Sequence, residues 1–229
     1  KKNVKILLEI LVLEGVVFMQ KSSRKSIRLF KSDFLESLSH INPITPLLFW
    51  GPTVIFLLVK SQGEFALSGP ENMMLFVLAL IFWTLTEYTM HRYVFHYKAK
   101  TPLGKRFIYL FHGIHHDDPQ DPTRLVFPLL PAVLIMGLFF LFFKLVIPEK
   151  FLLSFTAFFI VGYLCYDYIH YATHHWPMKG PIGRFLRVYH LKHHYGEKGV
   201  RFGVSNPLWD LVFKTYVSPF SKKEEGQTL

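Results

Sequence analysis

Long apolar stretches restrict the folding of this chain more than any other feature of its sequence. Three of them approach the roughly 20 apolar residues that a helix needs to cross a bilayer. They are residues 73–89, 125–147 and 151–168. A fourth stretch, residues 44–59, is shorter and contains Pro46, Gly51 and Pro52, which favours a kinked or partly re-entrant span. The pattern predicts an all-α integral membrane protein with about four transmembrane helices.

The composition agrees with a membrane protein. Hydrophobic residues make up 51% of the chain and charged residues only 18%, where about 25% is usual in soluble domains. This balance argues against a soluble enzyme and against intrinsic disorder. The single cysteine, Cys165, excludes a disulfide scaffold, a cysteine-ligated zinc module and an iron–sulfur site.

The 26 basic residues are distributed unevenly around these spans. Five lie in residues 21–31, six in residues 91–124 and nine after His170, whereas the opposite ends of the spans carry only three. By the positive-inside rule, both termini and residues 91–124 face the cytosol, and the number of spans is even. The formal net charge of +10 therefore follows from membrane topology and requires no nucleic-acid partner.

Eleven of the twelve histidines form two blocks of similar internal order. The first block contains His91, His96, His112, His115 and His116. The second contains His170, His174, His175, His190, His193 and His194. Residues 117–169, mostly two spans joined near Pro148, separate the blocks as a hairpin, so the blocks can meet at one membrane face. Two half-sites are implied, and His40 is interpreted as an ordinary surface or hydrogen-bonded residue.

The spacing within the blocks suits metal ligation. Residues four apart share one helix face, so His170 and His174 can reach one ion. Residues three apart also share a face, and the first two histidines of each HxxHH motif have this spacing. His91 and His96, five apart, do not fit a regular helix, which predicts a distorted last turn. Without His175, ten imidazoles remain. They are too many for one ion but suit two ions with about five ligands each.

Two carboxylates lie one helical turn before a histidine. Glu87 precedes His91 by four residues, and Asp167 precedes His170 by three. A carboxylate there can accept the second ring N–H of a ligand and orient it, so we expect a supporting role for both. Pairing with a base such as Arg92, or reaching to the membrane interface, is the alternative.

Several motifs around the histidines are more specific than HxxHH, which many lipid oxidases share. They are residues 28–33 (RLFKSD), 83–96 (WTLTEYTMHRYVFH), 112–116 (HGIHH), 124–128 (RLVFP), 166–175 (YDYIHYATHH), 189–194 (YHLKHH), 202–205 (FGVS) and 209–213 (WDLVF). With these motifs, over roughly residues 24–217, the sequence resembles the membrane-bound fatty acid hydroxylase and sterol desaturase superfamily, and within it the fatty acid 2-hydroxylases.

The resemblance implies four transmembrane helices beneath a cytosolic helical cap that holds a dinuclear, histidine-rich metal site. The ligands it implies are His91, His96, His112, His115, His116, His170, His174, His190, His193 and His194. It implies no catalytic residue beyond the metal centre. The implied reaction is O₂-dependent hydroxylation at C2 of a long-chain fatty acyl group, free or in a sphingolipid such as ceramide.

The same resemblance implies cofactors and partners. The cofactors are two metal ions, O₂ and electrons from an external donor. Iron is expected in the active enzyme, because zinc has no redox chemistry, and zinc is possible in the protein as isolated. The partners are the lipid bilayer, a long-chain acyl lipid and a separate electron donor such as cytochrome b5 or a ferredoxin with its reductase, since the sequence has no cytochrome b5 haem-binding motif. The location is the endoplasmic reticulum or a bacterial inner membrane, with termini and metal site cytosolic.

Three segments are expected along the chain. Residues 1–43 comprise an N-terminal leader and an amphipathic helix over residues 26–38. The first 18 residues of the leader contain no signal-peptide cleavage site. That helix lies either on the membrane surface or against the enzyme's own cytosolic part. Residues 44–217 form a single membrane-embedded hydroxylase domain, and residues 218–229 a polar tail.

Two other functions fit parts of the pattern. A related lipid oxidase, such as a sterol methyl oxidase or a desaturase, would use the same ligands on another lipid. A zinc-binding membrane protein or hydrolase would need no oxygen chemistry. A zinc hydrolase wants an acidic base beside an open metal site, as in HExxH, and this motif does not occur in the sequence.

Overall fold

The computed structural model describes residues 26–220, so the leader at residues 1–18 and the tail beyond residue 220 lie outside the described part. The described residues are helical and contain no β-strand, which confirms the predicted all-α fold. The helices are α1 Asp33–Leu38, α2 Thr45–Phe65, α3 Gly69–Thr89, α4 Pro102–Ile108, α5 Ile114–Asp117, α6 Leu129–Val146, α7 Glu149–His175, α8 Pro181–Tyr195 and α9 Leu208–Val212. Two π-helical segments, Met90–Phe95 and Tyr109–Gly113, continue α3 and α4.

Helix α7 is the central element of a bundle with α2, α3 and α6. Along α2 it packs in antiparallel order, with the Trp50 and Tyr163 rings 6.1 Å apart and the Ser61 and Ser154 hydroxyls hydrogen-bonded at 2.9 Å. Phe159 of α7 is fully buried between aromatic side chains of α3 and α6. These aromatic side chains form a contiguous core between the helices.

The two short connections of the bundle lie at one end. Lys150, at the start of α7, forms an ion pair with Glu71, at the start of α3, with 2.6 Å between nitrogen and oxygen. Both helices therefore begin at this end and finish at the opposite end, where each carries its histidines. This arrangement confirms the prediction that the two histidine blocks meet on one side of the bundle.

Three described helical segments are long and apolar enough to cross a membrane: Gly69–Phe95, Leu129–Val146 and Glu149–His175. The fourth predicted span forms α2, a continuous helix of 21 residues despite the internal Pro52. Its last turns carry Lys60 and Glu64, which lower its apolar character and pair with each other at 3.4 Å. Helix α2 is thus the fourth helix of the bundle by position, but it is not among the three segments apolar enough to cross a membrane.

Helix α6 exposes a broad apolar face. Leu130, Leu134, Leu138 and Leu145 are each more than 60% exposed. A face of this kind is costly in water but favourable against lipid. The exposed leucines therefore mark the side of the bundle that faces the bilayer.

Helices α3 and α7 approach each other closely at Gly162. A Cβ atom built there would lie 2.6 Å from both Cβ and Cγ of Trp83. These atoms are near the backbone of α3, so a side chain at residue 162 would require the helices to separate. Glycine at this position allows the Trp83 ring to pack against Phe159 and Tyr163 of α7.

We predict that Gly162→Ala destabilises the bundle by about 1–3 kcal/mol, because the added methyl group overpacks the contact between α3 and α7. Gly137→Ala is the matched control, since a Cβ at Gly137 meets no atom within 4 Å. Thermal unfolding in detergent should give a lower midpoint for Gly162→Ala than for Gly137→Ala. Equal midpoints would contradict the close approach of the helices.

The amphipathic helix expected over residues 26–38 is shorter in the structure and spans only Asp33–Leu38. Side chains form hydrogen bonds with the backbone groups that a longer helix would pair with one another. The Arg28 guanidinium donates to the carbonyl oxygens of Phe30 and Lys31, and the Glu36 carboxylate accepts from the amides of Leu29 and Phe30. These local hydrogen bonds compete with the helix and hold residues 28–31 extended.

A buried arginine fixes this N-terminal segment to the rest of the chain. The guanidinium of Arg124 donates to the Ile27 carbonyl, the Glu36 carboxylate and the Ser39 hydroxyl, and contacts Nε2 of His40 at 3.0 Å. Of the two alternatives for the segment, the structure has it packed against the protein itself.

We predict that Glu36→Gln loosens the N-terminal segment, because the buried Arg124 guanidinium loses its counter-charge, at a cost of about 1–3 kcal/mol. Hydrogen exchange in residues 26–40 should become faster. The control is Asp33→Asn, which removes an ion pair with Arg28 whose carboxylate side chain is 93% exposed and which should change nothing measurable. Unchanged exchange in Glu36→Gln would refute the anchoring role of Arg124.

Candidate metal centre

The ten histidines selected from the sequence converge in two buried or half-buried clusters of five. Cluster 1 consists of His91, His96, His112, His116 and His193. Cluster 2 consists of His115, His170, His174, His190 and His194. Within each cluster, one ring nitrogen per residue lies within 4.8 Å of all the others. The two clusters are neighbours, since the stacked rings of His116 and His194 have centroids 4.2 Å apart.

The clusters do not follow the two sequence blocks. His115 of the first block lies in cluster 2, and His193 of the second block lies in cluster 1. The expectation that the first two histidines of each HxxHH motif share an ion is therefore wrong. On a helix, residues four apart are separated by about 40° and residues three apart by about 60° in the opposite sense. The first and last histidines of each motif consequently pair, and the middle one turns to the other cluster.

The pair at five-residue spacing is brought together by a π-helical turn. The amide of His96 donates to the carbonyl oxygen of His91 at 3.1 Å, which is the i to i+5 hydrogen bond of a π-helix. Because such a turn closes over five residues, the two side chains lie on the same face. The predicted distortion at the end of this helix is confirmed. A second π-helical segment, Tyr109–Gly113, overlaps the start of the HxxHH motif of the first block and contains His112.

The Nε2 atoms of each cluster face one another at short distances. In cluster 1, Nε2 of His96 lies 3.2 Å from those of His91 and His112 and 2.9 Å from that of His193. In cluster 2, the Nε2 pairs His115–His170 and His174–His190 are each 2.9 Å apart. Two nitrogens bound at about 2.1 Å to one ion are about 3.0 Å apart when they subtend a right angle. The observed spacing suits five nitrogens around a common ion.

Backbone carbonyls fix the tautomers of two rings in cluster 1. Nδ1 of His91 lies in hydrogen-bonding contact with the carbonyl oxygen of Phe202, and Nδ1 of His193 lies 3.0 Å from that of Val200. A carbonyl only accepts, so both Nδ1 atoms carry the proton and both Nε2 atoms present lone pairs. Lone pairs that face one another in a buried site are unfavourable unless a cation lies between them.

Burial keeps the rings neutral. It lowers the pKa of His96 and of His193 to about 4 and that of His116 to about 2, and the nearby His193 lowers the pKa values of His96 and His116 further. Burial also lowers the pKa values of His112, His115 and His190 well below 6.5, with repulsion from neighbouring histidines adding to it. Neutral imidazole is the form that binds metals.

Glu87 has a different partner from the expected one. Its carboxylate accepts from the amides of Val204 and Ser205, at 2.6 and 2.8 Å, and from the Ser205 hydroxyl. It makes no recorded hydrogen bond to a histidine among the described residues. The Phe202 carbonyl occupies the position beside His91 that we expected Glu87 to take. Glu87 therefore supports His91 indirectly, by binding the backbone segment that carries this carbonyl.

Asp167 also lies one step further from the histidines than expected. It accepts from the amide of Phe127 at 3.1 Å and from the hydroxyl of Tyr163 at 3.2 Å. Its side chain points towards Phe127, at the end of the loop into α6, and makes no hydrogen bond to a ring of either cluster. Among residues 26–220 it forms no ion pair with a basic residue either.

Two histidines lie outside the clusters, as expected. The ring of His175 packs against Tyr171 with centroids 4.6 Å apart, and it is absent from both clusters. The Nδ1 atom of His40 lies 2.6 Å from the Thr123 hydroxyl. His175 thus offers a natural control for His174, its neighbour in cluster 2.

A mainly apolar cavity of about 240 Å³ lies beside the clusters. His112, His115 and His170 form part of its wall, and Phe30 and Leu35 of the N-terminal segment close the other side. The cavity therefore gives an apolar molecule access to both clusters.

A smaller apolar cavity of about 60 Å³ lies inside the bundle among α3, α6 and α7. It shares Phe95, Phe127 and Tyr166 with the larger cavity. Phe95 stacks on His112 of cluster 1, and Tyr166 stacks on His170 of cluster 2. These aromatic side chains separate the histidines from the apolar interior of the bundle.

The groups that act through the backbone were not predicted from the sequence. Phe202 and Val200 support ligands with carbonyl oxygens, which every residue type carries. Asp210 accepts from the amides of Phe202 and Gly203 at 2.8 and 2.7 Å. The only sequence signal for it was the WDLVF motif, which contributed to the resemblance but suggested no role.

Known proteins share both the sequence and the fold. A model of the fatty acid hydroxylase family matches residues 76–215. Fatty acid 2-hydroxylase of Macaca fascicularis is 35% identical over 215 residues, covering 84% of this chain and 57% of that protein. Dihydroceramide fatty acyl 2-hydroxylase FAH1 of Arabidopsis thaliana is 32% identical over 204 residues, covering 89% of this chain and 86% of that protein. This chain thus spans a little over half of the length of the Macaca relative.

A solved structure described as full-length scs7p, in which only the hydroxylase domain is visible, has the same fold. The TM-score is 0.76 at 32% identity, and the match covers 82% of this chain and 72% of that chain. The resemblance inferred from the sequence motifs is confirmed by these comparisons. By its family match, its relatives and its fold, this chain belongs to the fatty acid hydroxylase family.

Proposed function

We propose that this protein hydroxylates C2 of a long-chain fatty acyl group, free or within a sphingolipid, with O₂ as the oxidant. The observation that carries the proposal is the juxtaposition of two five-histidine clusters with an apolar cavity whose wall includes His112, His115 and His170. The choice of C2 as the hydroxylated carbon rests on the names of the relatives, which are a fatty acid 2-hydroxylase and a dihydroceramide fatty acyl 2-hydroxylase.

The ten histidines are proposed as ligands of two metal ions. Their converging Nε2 atoms, their burial and the fixed tautomers of His91 and His193 all suit cations. All the donors are neutral imidazoles, which bind both iron and zinc. We propose iron as the active metal, because the reaction requires a redox-active ion.

The proposed reaction is balanced by an external electron donor. One oxygen atom of O₂ enters the C–H bond, the other leaves as water, and the donor supplies two electrons with two protons from solvent. When bound, the two iron ions would supply the O₂ chemistry that no side chain can provide. The protein's own groups hold the ligand rings in place, exclude water and position C2 of the acyl chain.

The cavity suits an acyl chain. An apolar cavity of about 150 Å³ holds benzene, so about 240 Å³ holds roughly ten carbon atoms. A longer chain would extend beyond it, either past Phe127 into the smaller cavity or under the N-terminal segment. The apolar wall excludes water from the reacting carbon, which favours oxidation of the lipid over unproductive reactions.

The membrane arrangement follows from the charges. We propose that the histidine-bearing end of the bundle faces the cytosol, because the basic residues cluster at that end of the spans. The donor would then be a cytosolic or membrane-anchored protein such as cytochrome b5, or a ferredoxin with its reductase. Residues 44–217 are proposed as the membrane-embedded catalytic unit, with the N-terminal segment as its cover.

The test is an activity assay on protein expressed with iron and purified in detergent. With O₂, a reducing system and a long-chain acyl lipid, we expect a 2-hydroxy product by mass spectrometry and two metal ions per chain. His174→Ala should bind less than two ions and lose the product by at least about a hundredfold, because a ligand from cluster 2 is missing. His175→Ala is the matched control and should retain both ions and most of the activity.

Other results would contradict the proposal in distinct ways. Two ions with a product oxidised at another position, or with a sterol as the only substrate, would point to the related lipid oxidases. Two zinc ions with hydrolytic activity and no use of O₂ would point to a hydrolase. Equal loss of metal in His174→Ala and His175→Ala would contradict the proposed ligand set.

A further inference from the structure

We infer that Glu87 and Asp210 make the two metal sites unequal: by clamping residues 202–205, they hold cluster 1 rigid and make its ion the slower one to dissociate. The inference rests on the proposed metal binding. It assigns Glu87 and Asp210 as positioning residues, which act on the ligands through the backbone.

Two buried carboxylates bind four consecutive amides of this segment. Asp210 accepts from the amides of Phe202 and Gly203, and Glu87 accepts from the next two, those of Val204 and Ser205. Both carboxylates are almost completely buried, at 0% exposure for Asp210 and 4% for Glu87. The four hydrogen bonds are 2.6–2.8 Å long, so the segment is firmly held.

The close fit of the segment extends to its glycine. A Cβ atom at Gly203 would lie 2.0 Å from the carbonyl oxygen of Asn206 and 2.9 Å from Oδ2 of Asp210. Only glycine allows the backbone to approach the carboxylate this closely. The Thr215 hydroxyl also donates to Asp210 at 2.7 Å, which fixes the orientation of the carboxylate.

The clamped segment supports cluster 1 directly. The carbonyl oxygen of Phe202, within it, accepts from Nδ1 of His91, and that of Val200, two residues before it, accepts from Nδ1 of His193. A ligand whose second nitrogen is held by an acceptor keeps its ring orientation and is a stronger base. Two of the five rings of cluster 1 are oriented in this way by carbonyl oxygens in or next to the clamped segment.

Cluster 2 lacks this support. The Nδ1 atoms of His174, His190 and His194 are buried and have no hydrogen-bond partner among the described residues. These three rings thus have no acceptor at Nδ1, which leaves their orientation less fixed. Since the donor atoms of the two clusters are chemically alike, the difference in ring support should decide which ion leaves first.

The experiment measures metal release from zinc-loaded protein with excess of a chromogenic chelator. We expect two kinetic phases of one ion each. His91→Ala should lack the slow phase and His170→Ala the fast phase, which assigns each phase to a cluster. The readout needs no turnover, so it is independent of substrate and electron donor.

Variants of the clamp then test its role. Glu87→Ala should accelerate the slow phase about tenfold to a hundredfold and leave the fast phase unchanged, in line with the usual effect of groups that orient ligands. Glu87→Gln keeps an acceptor oxygen for the two amides and should have a smaller effect, as should Ser205→Ala. Asp167→Asn is the matched control, because this buried carboxylate contacts Phe127 and Tyr163 and should not change the slow phase.

The outcomes separate this inference from the proposed function. Protein that binds no zinc would contradict the metal site itself. Two ions released in a single phase, or a slow phase assigned to cluster 2, would overturn the inference and leave the metal site standing. Acceleration of both phases by Glu87→Gln would show a general structural effect and also overturn it. If Glu87→Ala does not fold, Glu87→Gln and Ser205→Ala decide the matter.

Discussion

The convergence of ten imidazole rings at two points is the constraint on which the rest of this structure depends. Their Nε2 atoms approach one another at about 3 Å, and His91 and His193, whose protons are held at Nδ1, cannot donate across these contacts. Protonation would not help, because burial and like charges disfavour it. A cation between the facing lone pairs would stabilise such a cluster, and the helices are arranged to bring the ten rings to two points.

The membrane bundle supplies the rigid base for this arrangement. Helices α3 and α7 run from the Glu71–Lys150 end to the histidine end and are packed tightly at Gly162. Each carries its first cluster histidines where its apolar stretch ends. Because these histidines sit on continuous helices, their positions are more precise than loops would allow. The π-helical segment Met90–Phe95 then adjusts the register so that His91 and His96, five residues apart, share a face.

Buried carboxylates that do not contact the clustered histidines also support the site. Glu87 and Asp210 fix residues 202–205, and Asp167 fixes the amide of Phe127 beside the large cavity. Each accepts hydrogen bonds from backbone amides that would otherwise be buried without a partner. The carboxylates thus shape the surroundings of the metal centre through main-chain atoms, which links the accuracy of the site to the packing of distant segments.

The sequence was sufficient for the bundle and for the membership of the site, because apolar length and histidine spacing are local signals. His170 and His174 fall in one cluster as their spacing predicts, and the distortion before His96 was also expected. The exchange of His115 and His193 between the clusters was not predicted, since it depends on how two HxxHH helices face each other. The roles of the Phe202 carbonyl and of Asp210 were not predicted either, because backbone acceptors leave no trace in residue identity.

Anomalous X-ray scattering from crystals of zinc-loaded protein, recorded on both sides of the zinc absorption edge, tests the central claim most directly. The account predicts two strong peaks, one within about 2.0–2.1 Å of the Nε2 atoms of His91, His96, His112, His116 and His193, and one at the same distance from those of the second cluster. A single peak shared between the clusters, or peaks that lie away from these nitrogens, would contradict it.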